Sequence, residues 1–134
     1  EAKYNNNNEF GVKSNLPSGS AWNSTANWIV NSREIWERTK TWRDVYLNSE
    51  DWGNYEGGLE QTGSNDAYSK NNIYDLAGNL QEWTMETNEA NEKICRGSSY
   101  GASGSPSMMS HSLKAESATD NKTGYRLMLY IIKE

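Results

Sequence analysis

The stretch from Asn72 to Trp83 places the strongest constraint on how this chain folds. It starts apolar, passes through Gly78 and Asn79, and ends with alternating apolar and polar side chains from Leu80 to Trp83. Because Gly and Asn tolerate a positive φ better than other residues, the centre predicts a tight turn. The alternation after it is typical of a half-buried strand. Within that strand Glu82 must be exposed or held by a partner, because burying a lone carboxylate is costly.

The composition predicts one domain, residues 1–134, with a small aromatic core. Hydrophobic residues make up 34% of the chain and the mean hydropathy is −0.96, yet there are six Trp and eight Tyr. Each buried aromatic removes roughly 150–250 Å² from water, so a few of them can supply a core. Frequent Asn and Ser favour a loop-rich β protein. Since the chain begins at Glu1 without a Met, we expect a piece of a longer protein.

Charge and residue counts narrow the classes of partner and cofactor. The net charge is −5 without a Lys/Arg cluster, which argues against a nucleic-acid partner. No apolar run approaches the roughly 20 residues of a transmembrane helix, so membrane insertion is not expected. The single cysteine, Cys95, excludes an internal disulfide and a multi-cysteine metal site. We expect Cys95 to behave as a small buried hydrophobe within a strand.

Two helices are predicted in the first half of the chain. Trp22, Ala26 and Ile29 recur at i, i+4 and i+7, which predicts an amphipathic helix over residues 20–31. A second, weaker pattern predicts a helix over residues 32–40.

Long connections and one apolar run dominate the remainder. Residues 48–72 are rich in Gly, Asn, Asp and Ser and predict a loop, which we expect Trp52 and Tyr55 to pin to the body. Residues 98–123 are again predicted as loop. The closing run, residues 125–132, is apolar on both faces and predicts a central strand buried on two sides.

Three sequence blocks occur in a characteristic order. They are YDLAGNLQEW at residues 74–83, RGSSY at 96–100 and GYR at 124–126. This order resembles the formylglycine-generating enzyme (sulfatase-modifying factor) family, whose pattern is close to LYDMAGNVWEW, RGGSW and GFR. The resemblance covers about half of the chain and implies an α+β, C-type-lectin-like fold with two short helices, small twisted antiparallel sheets and much irregular loop.

The catalytic residues of that family are missing here. Family members that oxidise cysteine resemble one another in a copper-binding cysteine pair after the RGGSW block, whereas residues 101–110 contain no Cys. The related iron-dependent sulfoxide synthases need several histidines, and His111 is the single one here. We therefore predict a retained fold without enzymatic activity. The alternative is an oxidase of the formylglycine-generating type or an iron-dependent relative.

A non-catalytic branch of the same fold fits better. The variable proteins of diversity-generating retroelements resemble formylglycine-generating enzymes that lack catalysis and display a hypervariable C-terminal region. Here that region would be residues 98–123, presented to a protein or cell-surface ligand outside the cell, on its surface or on a phage particle. Polar, Tyr-containing loops suit adaptable contacts. The side chains that we predict as contacts, as a group, are Tyr100, Ser103, Met108, His111, Lys114, Glu116, Asp120 and Asn121.

The resemblance also implies roles for residues near the turn. Family members bind structural calcium through the Gly-Asn-x-x-Glu element, and this resemblance implies that Asn79 and Glu82 are calcium ligands here. The alternative is that Glu82 accepts hydrogen bonds from backbone amides. A lectin in which calcium bridges to sugar hydroxyls is a further alternative function. A sugar-stacking platform is the alternative reading of the six Trp residues, for which core positions are favoured. We expect Arg96 and Arg126 to make buried, charge-assisted hydrogen bonds to carboxylates or carbonyls.

Overall fold

The structure is a computed structural model that describes residues 11–31, 52–102 and 107–131. The predicted second helix over 32–40 lies outside these ranges. Within them, no helix is long and apolar enough to cross a membrane. The elements, in chain order, are β1 (Val12–Asn15), α1 (Gly19–Asn31), a 3-10 turn (Asp66–Tyr68), β2 (Ser69–Lys70), β3 (Ile73–Tyr74), β4 (Gln81–Thr87), β5 (Lys93–Arg96), β6 (His111–Lys114), β7 (Thr123–Tyr125) and β8 (Met128–Ile131).

Helix α1 confirms the first helix prediction, with its start one residue earlier. The hydroxyl of Ser18 accepts a hydrogen bond from the Ala21 amide at 3.1 Å and caps the helix. The three residues predicted on the apolar face, Trp22, Ala26 and Ile29, are at most 3% exposed. They pack in the main core cluster together with aromatic and apolar residues of the loops.

The predicted turn connects the long loop to the sheet. Gly78 and Asn79 have φ of 76° and 56°, as the turn prediction requires. A Cβ on Gly78 would lie 2.3 Å from the carbonyl oxygen of Asn54, so only glycine fits this close approach. Trp52 and Tyr55 are each 5% exposed, which confirms that they pin the long loop to the body.

The main sheet has the strand order β6-β5-β4-β7. Strands β4, β5 and β6 are antiparallel neighbours, whereas β7 pairs with β4 in parallel. The predicted α+β fold with small antiparallel sheets is thus confirmed, with one parallel pairing added at β7. The cause is the connection 115–122, which carries the chain from β6 at one edge of the sheet to β7 at the other.

Two further predictions about strands are wrong. The run 125–132 is not a buried central strand: within the described residues β8 pairs with β1 alone, and Leu129 and Ile131 are 59% and 81% exposed. Apolar residues on both faces of a strand do not by themselves bring packing elements to both faces, and nothing in the described part of the chain buries Leu129 or Ile131. Residues 98–123 are not all loop either, because β5 provides a partner for the four residues of β6.

Candidate ligand-binding surface

Two loops of the segment 98–123 meet on one surface. Tyr100 lies in the first loop, and its hydroxyl donates to the carbonyl oxygen of Asn121 in the second loop at 3.4 Å. The ammonium of Lys122 lies 5.3 Å from the centroid of the Tyr100 ring, within the range of a cation–π contact. We call the partly or fully exposed residues 100–102 and 115–122 the display surface.

Main-chain hydrogen bonds hold these loops on the scaffold. They join Tyr100 N to Asn79 O at 2.9 Å, Gly101 N to Tyr55 O at 2.7 Å and Gln81 N to Lys122 O at 2.9 Å. The backbone amide of any residue except proline can donate such a hydrogen bond. These bonds hold the loops at three points whatever side chains the display surface carries at Tyr100 and Lys122.

Lys114 and Asp120 are bound to each other. The Lys114 ammonium contacts the Asp120 carboxylate and lies 2.5 Å from the hydroxyl of Thr123. Asp120 also accepts from the Lys122 amide at 2.7 Å. The hydrogen bond from Lys114 lowers the pKa of Asp120 to about 2, with help from the Lys122 amide. These two predicted contact residues thus help to hold the connection 115–122 across the sheet.

The other predicted contacts are distributed over the molecule. Met108 is 0% exposed and packs in the core, so its prediction as a contact residue is wrong. Its position follows from Trp22, whose indole donates to the Met108 carbonyl at 3.0 Å. His111 is exposed on β6, and Glu116 is exposed with its carboxylate 3.7 Å from the Lys93 ammonium. Ser103 lies outside the described residues.

Asn79 and Glu82 do not fit the implied calcium site. Both oxygens of Glu82 accept hydrogen bonds from the Arg126 guanidinium, at distances of 2.7–3.0 Å. A cation at Glu82 would therefore face a fixed positive charge. The side-chain oxygen of Asn79 accepts from the Glu60 amide at 3.1 Å. Burial raises the pKa of Glu82, and the Arg126 hydrogen bonds oppose that shift.

Arg96 makes the second arginine–carboxylate pair of the fold. Its guanidinium donates to Glu86 at 2.5 and 2.8 Å. These hydrogen bonds lower the pKa of Glu86, although partial burial acts in the opposite direction. The Arg96 and Arg126 pairs confirm the prediction that both arginines bind carboxylates structurally.

A groove of about 430 Å³ lies beside Glu116, near the bulge of β4. Trp83 and Met85 give it apolar walls, while Lys93 and Glu116 give it opposite charges. Sequence reasoning placed the Trp residues mainly in the core and did not find this groove. Trp83 is only partly buried. Side chains along β4 alternate between the two faces of the sheet, and Trp83 lies on the face opposite to the buried Glu82 and Thr84.

Two surface residues were also missed. Lys122 belongs to the display surface because its ammonium contacts the Tyr100 ring. Its position two residues before the GYR block is the sequence feature that could have indicated this. Leu113 is 48% exposed on β6, an exposure that its apolar character does not predict.

The helix, the small sheets and the loops that form the display surface define an α+β domain with a loop-built surface. The chain belongs to the formylglycine-generating (FGE-sulfatase) family, because the family model described as "Sulfatase-modifying factor enzyme 1-like domain" matches residues 8–131.

A solved structure supports the same fold. The chain is similar to Treponema denticola variable protein 1, with 16% identity and a TM-score of 0.59. The similarity covers 88% of this chain and 48% of that chain, so this chain spans about half the length of that protein. A search of the curated proteins gives no match.

Proposed function

We propose that this domain is a non-catalytic ligand-binding module that presents residues 98–123 to a protein or cell-surface ligand. The observation that carries the proposal is that main-chain groups hold the display surface in place while side-chain atoms remain available for contacts. Main-chain hydrogen bonds hold its loops at Asn79, Tyr55 and Gln81, while Tyr100 and Asn121 keep exposed side-chain atoms. Such a surface can change its side chains without losing its shape.

The chemistry of the thiol supports the non-catalytic part of the proposal. Cys95 is 0% exposed, and burial raises its pKa to about 11. Since the thiolate is the reactive form, a buried thiol of high pKa is unsuited to oxidation chemistry. The rival function is an oxidase of the formylglycine-generating type. Oxygen consumption with a thiol peptide and copper would support that rival and contradict our proposal.

The fold similarity to a variable protein supports a role in which the surface itself varies. We propose a C-type-lectin-like scaffold from a diversity-generating retroelement, exposed on a cell or on a phage particle. Sequencing the genomic locus tests this origin. We expect a reverse transcriptase gene and a near-repeat of the codons for residues 96–126. A locus with neither contradicts it.

A display library tests the proposed function itself. The full chain is displayed on yeast with Tyr100, Glu116 and Asn121 randomised together, and resistance to protease reports folding. We expect most variants to stay folded and the library to yield binders to a folded target protein. The matched control library randomises Met108, which is buried, and should lose protease resistance. Equal losses in both libraries would contradict the proposal.

A glycan-binding lectin is the second candidate. The groove beside Glu116 favours a glycan, because it combines the indole of Trp83 with polar groups. The geometry at Glu82 favours binding without calcium. A glycan array with and without chelator separates these outcomes from protein binding. Glycan binding that persists with chelator would support a lectin that needs no calcium, whereas chelator-sensitive binding would contradict the geometry at Glu82.

A further inference from the structure

We infer that the outer edge of β6 binds an extended segment of another protein by adding it to the sheet as a strand. This inference rests on the proposed function and names the kind of partner for the segment 98–123. Strand β6 is the last strand of the β6-β5-β4-β7 sheet, and β5 is its partner in the ladder. Among the described strands none pairs with its other edge, which therefore faces outward from this sheet.

The register shows which backbone groups lie on that edge. Gly97 N donates to Ser110 O at 3.0 Å, and this pair continues the register of β5 with β6. In antiparallel sheets, hydrogen-bonded and non-hydrogen-bonded pairs alternate. Ser112 and Lys114 therefore bond to β5, whereas the amides and carbonyls of His111 and Leu113 point outward.

A side-chain contact supports the same assignment. The Thr84 hydroxyl, on β4, donates to the carbonyl oxygen of Ile94 at 2.8 Å. That carbonyl therefore points away from β6, as expected for a non-hydrogen-bonded pair of Ile94 with Leu113. Among the described residues, no hydrogen bond involves the outward amides and carbonyls of His111 and Leu113.

This edge lacks the usual protection against strand addition. Natural edge strands are commonly protected by lysine side chains, proline or bulges. The lysine of β6, Lys114, instead extends across the sheet to Asp120 and to Thr123 on the far strand β7. Leu113 remains 48% exposed beside the edge and offers an apolar contact. An added strand would gain main-chain hydrogen bonds and a place for one apolar side chain.

Charge favours a different protein over a second copy of this chain. The chain carries a net charge of −5, so two copies repel each other while a neutral or basic segment does not. The partner chemistry is therefore an extended, neutral or basic peptide segment with an apolar side chain opposite Leu113.

A library of random linear peptides displayed on phage, selected against the folded full chain, tests the inference. The main variant is Leu113→Pro, which removes an outward amide that makes no bond to β5. Leu113→Val is the matched control, because it keeps the amide. We expect selected peptides to bind the wild type and Leu113→Val, and to bind Leu113→Pro at least about tenfold more weakly, as for one lost main-chain hydrogen bond.

Circular dichroism checks that Leu113→Pro is folded, and N-methylated peptides provide an independent measurement. Methylation at every second peptide amide should abolish binding, because only alternate amides face the edge. The inference would be overturned if no peptides were selected, or if peptides bound Leu113→Pro as well as wild type and showed a flat methylation profile. A wild-type dimer that Leu113→Pro dissociates would also overturn it. Peptides that lose affinity with Tyr100→Ala but not with Leu113→Pro would sustain the proposed function alone. Insensitivity to both substitutions would contradict both.

Discussion

Replacement of Arg126 by methionine should destabilise the fold strongly. Its guanidinium makes three contacts of 2.7–3.0 Å with Glu82 and donates to the Tyr74 carbonyl at 2.8 Å. Glu82 is 7% exposed, so Arg126→Met leaves a buried carboxylate without a counter-charge. Removing one partner of a buried pair typically costs about 3–5 kcal/mol. Because the Arg126 side chain is itself 26% exposed, some water reaches the site, and we expect about 3 kcal/mol at pH 7.

Urea unfolding followed by tryptophan fluorescence measures this loss. Arg96→Met is the matched control, because its partner Glu86 has a side chain that is 23% exposed and can be hydrated after the change. We expect the control to lose about 1–2 kcal/mol. The double variant Glu82→Gln/Arg126→Met should recover part of the stability, since it removes the buried charge.

The pH dependence gives a second check on the same reasoning. Burial already raises the pKa of Glu82, and loss of Arg126 removes the hydrogen bonds that oppose the shift. A carboxyl whose pKa is higher in the folded state is protonated there first, so its burial costs little at low pH. The deficit of Arg126→Met should therefore grow as pH rises above the ordinary value of 4.5 through the raised pKa. A loss below about 1 kcal/mol, or one no larger than that of Arg96→Met, would refute this account.

Three further predictions concern the core and the second ion pair. Met108→Ala should cost about 2–5 kcal/mol in urea unfolding, whereas Asn121→Ala, on the surface, should stay within about 0.5 kcal/mol. Iodoacetamide should label Cys95 at pH 8 only in parallel with urea unfolding, because the thiol is buried and has a pKa of about 11; rapid labelling of the native protein would contradict this. The Arg96 hydrogen bonds lower the pKa of Glu86, so its stabilisation is present above pH 4.5 and is lost as pH falls through the lowered value. The unfolding midpoint of Glu86→Gln should therefore fall less between pH 6 and pH 3 than that of the wild type.

Local backbone preferences made much of the fold predictable. Gly78 and Asn79 specify their turn because few other residues adopt positive φ, and α1 follows from the spacing of Trp22, Ala26 and Ile29. The two arginine pairs were also foreseeable, since a buried guanidinium requires a carboxylate or carbonyl. Which carboxylate each arginine binds was not foreseeable. Arg126 and Glu82 are 44 residues apart and meet only through the parallel pairing of β7 with β4.

Long-range pairing explains the predictions that failed. The four residues of β6 have little strand propensity of their own, and β5 makes them a strand. Met108 was predicted as a contact because it lies in the segment 98–123, but Trp22, from α1, donates to its carbonyl and fixes it in the core. The apolar run of β8 was predicted as buried but is exposed. The sequence of a segment does not specify which other elements pack against it.

The energetics of the display surface explain how it could vary. A domain of this size has a net stability of roughly 5–15 kcal/mol, so even one core loss of the size expected for Met108 consumes a large share of it. Substitutions at exposed positions such as Glu116 or Asn121 change stability by about 0.5 kcal/mol or less when no special backbone geometry is involved. Several of them can therefore accumulate, provided that the main-chain bonds to Asn79 and Gln81 persist. Tyr100 and Asp120 are exceptions on this surface. The Tyr100 hydroxyl donates to the carbonyl oxygen of Asn121, and the Asp120 carboxylate binds Lys114 and the Lys122 amide. If the surface varies, positions 114 and 120 should change together or not at all, while their neighbours change freely.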